Sequence, residues 1–338
     1  MSLLSVKNLE VKFATAEGEI TAVDNISFDV NPGEVLGLVG ESGSGKSVTA
    51  RSLMKLNADN TRYGEGSSMT LSADGETINI LGLRTPRQLR KVRGDLVSMI
   101  FQEPMASFAP AISIGSQMVE QLMLHRKMTR SEARELSIDL LDKVGISDAP
   151  KRFKQYAFEL SGGMRQRAMI AMALSTRPRL LIADEPTTAL DVTIQAQVLD
   201  LMKDIVAEYD MGVIFITHDL GVIAQTADRV AVMYLGKIVE SGPVRDVIHN
   251  PAHPYTQGLL NALPKLEDLD APLTPVPGDI PSPLERPNGC VFHTRCQKAI
   301  EGKCSAMEPP QVTIRDGHVS SCFLNDPQNN DPQNGDLA

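Results

Sequence analysis

Val35-Leu36-Gly37-Leu38-Val39-Gly40-Glu41-Ser42-Gly43-Ser44-Gly45-Lys46-Ser47 is the stretch from which the fold is read. After Glu34 the run to Val39 is continuously apolar, which suits a strand buried on both faces of a parallel sheet. The glycines that follow let backbone N–H groups curl around phosphates, and the helix opening near Lys46 adds its dipole to the same site. Lys46 is expected to reach the outer phosphates, and the Ser47 hydroxyl to coordinate magnesium. A strand, a glycine-rich loop and a helix in that order define a nucleoside phosphate site on an α/β sheet.

Working outward, Leu180 to Ala183 is a second apolar run, and Asp184-Glu185 closes it. Carboxylates at the carboxyl end of a parallel strand lie where such sheets bind ligands. Asp184 is expected to hold the magnesium, and Glu185, one residue further into the site, to polarise the water that attacks the γ-phosphate. Leu160-Ser161-Gly162-Gly163-Met164-Arg165-Gln166-Arg167 offers another helix start at Ser-Gly-Gly, yet the chain holds one phosphate loop. We read this helix start as serving the nucleotide of a second chain, so the site is completed by pairing.

Leu3 to Phe13 and Ile20 to Val30 alternate apolar and polar residues, as half-buried antiparallel strands do. From about Met105 to Tyr156, Met118, Leu122, Leu136, Leu140 and Leu141 recur at helical spacing among charges, marking an inserted helical subdomain at about 103–160. Strands at Leu180 to Ala183, Val213 to Ile216 and Val230 to Tyr234 alternate with helical stretches, the order of a parallel sheet. Beyond Pro243 the composition changes. Seven prolines between Pro264 and Pro287 predict an extended connection, and Asp326 to Ala338, with almost no apolar content, predicts a disordered tail.

The 338 residues carry a formal charge of -9 and are 42% apolar. No basic run tracks a nucleic-acid backbone, which argues against a nucleic-acid partner. No apolar stretch approaches the 18 or so residues a membrane span needs, and Met1 to Lys7 lacks the pattern of a secretory signal, so a cytoplasmic location is expected. All four cysteines, Cys290, Cys296, Cys304 and Cys322, fall in the last 49 residues. In a reducing compartment such clustering favours a metal site over disulfides.

These residues carry a resemblance. Gly40 to Ser47, Gln102, Leu160 to Gln166, Asp184-Glu185, Ala189-Leu190-Asp191 and His218 stand in the order and approximate spacing of the ATP-binding-cassette (ABC) ATPases. The resemblance covers about residues 1–245 and implies the P-loop ABC ATPase core: a parallel sheet with an antiparallel β subdomain and an inserted helical subdomain, followed here by a small cysteine-containing extension. It implies ATP and Mg2+ as ligands, with Ser42, Gly43, Ser44, Gly45, Lys46, Ser47 and Val48 on the nucleotide. Ser47, Gln102 and Asp184 would hold the metal, and Glu185, Gln102 and His218 would act in hydrolysis. Ser161, Gly162 and Gly163 would contact the γ-phosphate held by the opposite subunit, and Asp191 would cross the interface. Phe13 falls where the family places an aromatic on adenine, although a phenylalanine in a strand also serves as core.

A narrower resemblance lies beyond that core. His253-Pro254-Tyr255-Thr256, the proline stretch and Arg286-Pro287-Asn288-Gly289-Cys290 are similar to the C-terminal extension of ATPases from oligopeptide and dipeptide importers, here 246–325. In these systems two different ATPase chains pair beneath two transmembrane permease subunits, on the cytoplasmic face of the bacterial inner membrane. A binding protein outside the membrane delivers the cargo. Tyr156-Ala157-Phe158-Glu159 departs from the Tyr-Pro-His-Glu usual before the signature, in a segment that contacts the permease. The extension also occurs in importers of oligosaccharides, opines and nickel. The spacing C-x5-C-x7-C-x17-C fits neither standard zinc pairs nor ferredoxins, and leaves a [4Fe–4S] cluster, tetrahedral zinc and unligated thiols open; the resemblance favours the cluster. A soluble cassette ATPase acting on nucleic acid or ribosomes usually carries two cassettes or a coiled-coil insertion, and this chain has neither. A P-loop kinase or GTPase leaves Ser161-Gly162-Gly163 unexplained.

Overall fold

The structure is a computed structural model that describes residues 2–187, 190–262 and 275–327. Strands β1 (Leu4–Thr15) and β2 (Gly18–Val30) form an antiparallel hairpin, and β3 (Val35–Val39) follows as the buried strand before the phosphate loop. Three short strands come next, β4 (Thr61–Tyr63), β5 (Ser68–Ala73) and β6 (Glu76–Asn79); they join the hairpin in a sheet ordered β2-β1-β5-β6, with β4 also on β1. The remaining strands, β7 (Val97–Ile100), β8 (Leu180–Asp184), β9 (Gly212–Thr217), β10 (Arg229–Tyr234), β11 (Lys237–Pro243), β12 (Gln311–Arg315) and β13 (His318–Ser321), belong with β3 to an eight-stranded sheet ordered β12-β13-β11-β10-β3-β9-β8-β7.

From β10 to β7 that sheet is parallel. β3, β8 and β9 are almost wholly buried, which is why their sequences are unbroken apolar runs rather than alternating ones. Fully burying one such aliphatic side chain contributes about 1.5–3 kcal/mol, so the positions that aim the site residues rest on buried core strands. The register pairs Leu38 with Ile216 and Val39 with Thr217, bringing the end of β3 beside the end of β9.

The helices are α1 (Lys46–Leu53), α2 (Pro86–Val92), α3 (Pro104–Ser107), α4 (Ile114–His125), α5 (Arg130–Lys143), α6 (Ala149–Arg152), α7 (Gly162–Ser175), α8 (Val192–Tyr209), α9 (Leu220–Thr226), α10 (Val244–His249) and α11 (Pro254–Asn261). α3 to α6 form the expected insertion between β7 and α7. Side-chain oxygens of Ser161, Asp191 and Asp219 cap α7, α8 and α9 by accepting N–H groups of Met164, Ile194 and Gly221. Each such cap contributes about 1 kcal/mol, so these residues shape the backbone next to the site whatever else they do.

The extension is built into the main sheet rather than tethered beside it, a continuity the proline-rich composition did not suggest. β13 pairs antiparallel with β11, Glu240 opposite Ser320. The junction is a buried polar knot: the Glu240 carboxylate contacts His318 Nε2 at 2.7 Å and accepts the N–H groups of Ala252 (2.7 Å) and His253 (2.9 Å). Around it Tyr234, Tyr255 and Phe292 form an aromatic triangle with centroids 4.8–5.3 Å apart. The expected disordered tail lies, from residue 328 on, outside the described residues, as does the first part of the proline-rich connection, up to residue 274.

Candidate functional site: a nucleotide cleft at the carboxyl ends of the parallel strands

A cleft of about 520 Å³ opens over the phosphate loop, lined by Ser42 to Val48, Gln102, Glu185, His218, Leu235 and Ile20 to Ala22, with Pro283 and Arg286 contributed by the extension. The loop backbone explains its glycines. Gly45 has φ +101°, and a Cβ there would stand 2.6 Å from the Ala22 carbonyl oxygen. Gly43 has φ +78° with open space before it, as a backbone that must let phosphate oxygens come close requires.

Lys46 is buried behind the loop, its Nζ donating to the carbonyls of Gly40 (2.6 Å) and Glu41 (2.9 Å). Burial lowers its pKa, against the pull of Glu185, Asp184 and Glu41. Asp184, at the end of β8, accepts the Ser47 hydroxyl at 3.1 Å. Burial raises its pKa, the Ser47 hydrogen bond opposes this, and the neighbouring Glu185 adds to it. Two hard oxygen donors facing each other beside a phosphate cradle suit Mg2+, which would supply the positive charge that the buried carboxylate lacks.

Glu185 is where side chains from three strand ends converge. Its φ of +49° turns the chain sharply after β8, and its N–H is fixed to the Ile216 carbonyl at 2.9 Å. Gln102 Nε2 donates to Glu185 Oε2 at 3.1 Å, and His218 Nδ1 lies 3.2 Å from Oε1. Gln102 comes from the turn after β7 and His218 from the turn after β9. Three strand ends, 83 and 33 residues apart in sequence at these side chains, thus meet at one carboxylate.

Other expected residues are placed elsewhere. Ser161, Gly162, Gly163 and Asp191 are absent from the described residues lining the cleft. Ser161, Gly162 and Asp191 are exposed, and a Cβ built on Gly162 meets no atom within 4 Å, so nothing among the described residues requires glycine there. Phe13 stands one strand back from the cleft, half-buried against the core of the antiparallel sheet; its cross-strand neighbour Ile20 lines the cleft instead. Ala189 lies outside the described residues. The composition gave no reason to place Pro283 and Arg286 at the cleft. Arg286, 2.9 Å from the Asp24 carboxylate on β2, shows how the extension reaches it.

The four cysteines are all free, and they line one small cavity with His253, Phe292 and Phe323. Among the described residues no group of three or more His, Cys, Asp or Glu side chains is close enough to hold a metal ion. Burial pushes the thiols of Cys290 and Cys322 up to about 11 and raises that of Cys296, so without a metal they are neutral.

A phosphate loop, an acidic strand end, and a glutamine and a histidine on that acid define a P-loop ATPase cassette. Residues 23–188 match the ABC transporter family, and 239–304 match the family described as oligopeptide/dipeptide transporter, C-terminal region. The chain is 49% identical to the oligopeptide transport ATP-binding protein OppD of Salmonella typhimurium, covering 95% of this chain and 93% of that one. It is 46% identical to the dipeptide transport ATP-binding protein DppD of Bacillus subtilis, covering 96% and 95%. A putative peptide import ATP-binding protein of Brucella ovis is 49% identical over 95% of this chain and 96% of its own length. Among solved structures, a dimeric bacterial ABC transporter cassette superposes with a TM-score of 0.64 at 25% identity, over 72% of this chain and 99% of that one. The chain belongs to the ABC transporter ATPases, in the branch that carries the oligopeptide/dipeptide C-terminal region.

Proposed function

We propose that this chain is the ATP-hydrolysing subunit of a peptide importer, working as one half of an ATPase pair docked on membrane permease subunits. The observation that carries this reading is the separation of the two phosphate-directed glycine motifs. The cleft gathers Lys46, Ser47, Gln102, Glu185 and His218, with Asp184 bonded to Ser47 beside it, whereas Ser161 and Gly162 present an exposed helix start away from it. In the proposed cycle ATP binds the loop, and Ser47, Asp184 and Gln102 would hold the Mg2+ that offsets the phosphate charge. A second, paralogous chain brings its signature onto the γ-phosphate, Glu185 polarises the attacking water, and His218 contacts the γ-phosphate. Asp191 faces the partner.

Peptide as cargo is supported by the names of relatives that match nearly end to end. Importers of oligosaccharides, opines or nickel are the competing reading. Among the described residues no helix is long and apolar enough to cross a membrane, which suits a peripheral subunit held by permease partners on the cytoplasmic face. The stacked pair Tyr156 and Phe158, 5.5 Å apart with Phe158 63% exposed just before α7, suits a permease contact. We assign 1–245 to the nucleotide-binding core and 246–325 to the extension, in which four sulfur donors on one cavity suit a structural [4Fe–4S] cluster.

The test is uptake of labelled di- and tetrapeptides by proteoliposomes holding the complete transporter and its binding protein. ATP-dependent peptide accumulation is expected; accumulation of nickel or oligosaccharide in place of peptide would overturn the assignment. The same anaerobically purified complex should carry four irons and four sulfides per chain, as a cubane cluster does, and one zinc without iron would remove the cluster.

A further inference from the structure

Glu41, the second residue of the phosphate loop, is gripped by the extension on both its side chain and its main chain. Arg295 lies between Cys290 and Cys296, and its side chain is 4% exposed. Its guanidinium forks onto the carboxylate, one terminal nitrogen 2.6 Å from Glu41 Oε2 and the other 3.1 Å from Oε1. The remaining donors go to the carbonyls of Pro277 (2.9 Å) and Val276 (3.1 Å) and to the Tyr234 hydroxyl (3.5 Å), so the fork has a fixed direction. The Tyr255 hydroxyl accepts the Glu41 N–H at 2.9 Å.

The grip continues to the phosphate-binding lysine, because Lys46 Nζ is held by the carbonyl of this same Glu41. A bidentate pair between a buried guanidinium and a part-buried carboxylate fixes geometry as well as charge, which an ammonium cannot reproduce. A loop held in its binding conformation loses less entropy when ligand arrives. We propose that Arg295 and Tyr255 are positioning residues for the phosphate loop, so that the extension sets the affinity of the cassette for its nucleotide. This rests on the cleft being the ATP site.

The experiment uses the intact transporter and reads equilibrium binding of a fluorescent ATP analogue, KM and kcat for ATP, and thermal stability. Arg295→Met is expected to weaken nucleotide binding and raise KM about tenfold, with kcat falling less than KM rises, the pattern of lost ground-state binding. Glu41→Gln should do the same, and the double variant should be no worse than either single one, because both remove one interaction. Arg295→Lys should recover only part of the loss. Unchanged affinity in a folded Arg295→Met protein, or additive losses in the double variant, would overturn the proposal. If Arg295→Met does not fold, Glu41→Gln decides alone, with normal affinity counting against it. Lys46→Ala is the control for the site itself: wild-type binding there would remove the cleft assignment, whereas loss of binding there with no effect at Arg295 removes only the positioning role.

Discussion

Glu185 shows how much of the chemistry can rest on one backbone turn. A non-glycine residue at φ +49° is strained, and the turn is what swings the carboxylate from the line of β8 towards Gln102 and His218. Asp184, one residue earlier, stays in the strand and meets Ser47. Adjacent carboxylates are thereby divided between two tasks. Glu185→Gln keeps the shape and the hydrogen-bond reach but removes the carboxylate proposed to act as the base. ATP binding is expected to persist while steady-state hydrolysis by the assembled transporter falls on the order of 10²–10⁴. Turnover near the wild-type rate would show that the water is activated elsewhere.

At the scale of elements, α11 is a case of a helix start that doubles as a pH sensor of stability. His253 caps it by accepting the Tyr255 N–H at 3.1 Å on Nδ1. The ring is buried, and burial lowers its pKa to about 3. The folded state therefore refuses a proton that the unfolded chain accepts below about 6.5. Between those values the unfolded state binds more protons, so stability rises with pH and is lost as pH falls from about 6.5 towards 3. His253→Asn retains a capping oxygen without a titrating ring. Chemical unfolding from pH 7 to 4.5 should show a flatter decline for the variant, and parallel curves would mean His253 does not carry the acid sensitivity.

The elements also divide by how plainly their sequences announce them. β3, β8 and β9 are legible because burial on both faces leaves unbroken apolar runs. The strands β4, β5 and β6 are three to six residues long, with mixed burial and little period to detect. β12 and β13 were hidden in the same way: their place in the sheet depends on Glu240 meeting His318, 78 residues apart. The site residues on strand ends could be named from the sequence because a carboxylate after an apolar run has one place to go. The clamp of Arg295 on Glu41, spanning 254 residues, carries no local signal.

For the molecule as a whole, the proposed function makes the cleft and the exposed glycine helix start two parts of one reaction divided between two chains. Within this chain Gly162 has no packing reason to be glycine, since a side chain there enters open space. Asp at the first helical position should stabilise α7 by about 0.3–1 kcal/mol through the helix dipole. The same carboxylate would oppose the γ-phosphate of a nucleotide presented by a partner. The decisive measurement is ATP hydrolysis by the assembled transporter carrying Gly162→Asp in this chain, with its thermal stability recorded on the same sample. Hydrolysis lost or severely reduced, with stability at or above wild type, is the predicted result. Wild-type hydrolysis in that folded complex would contradict a site completed across two chains.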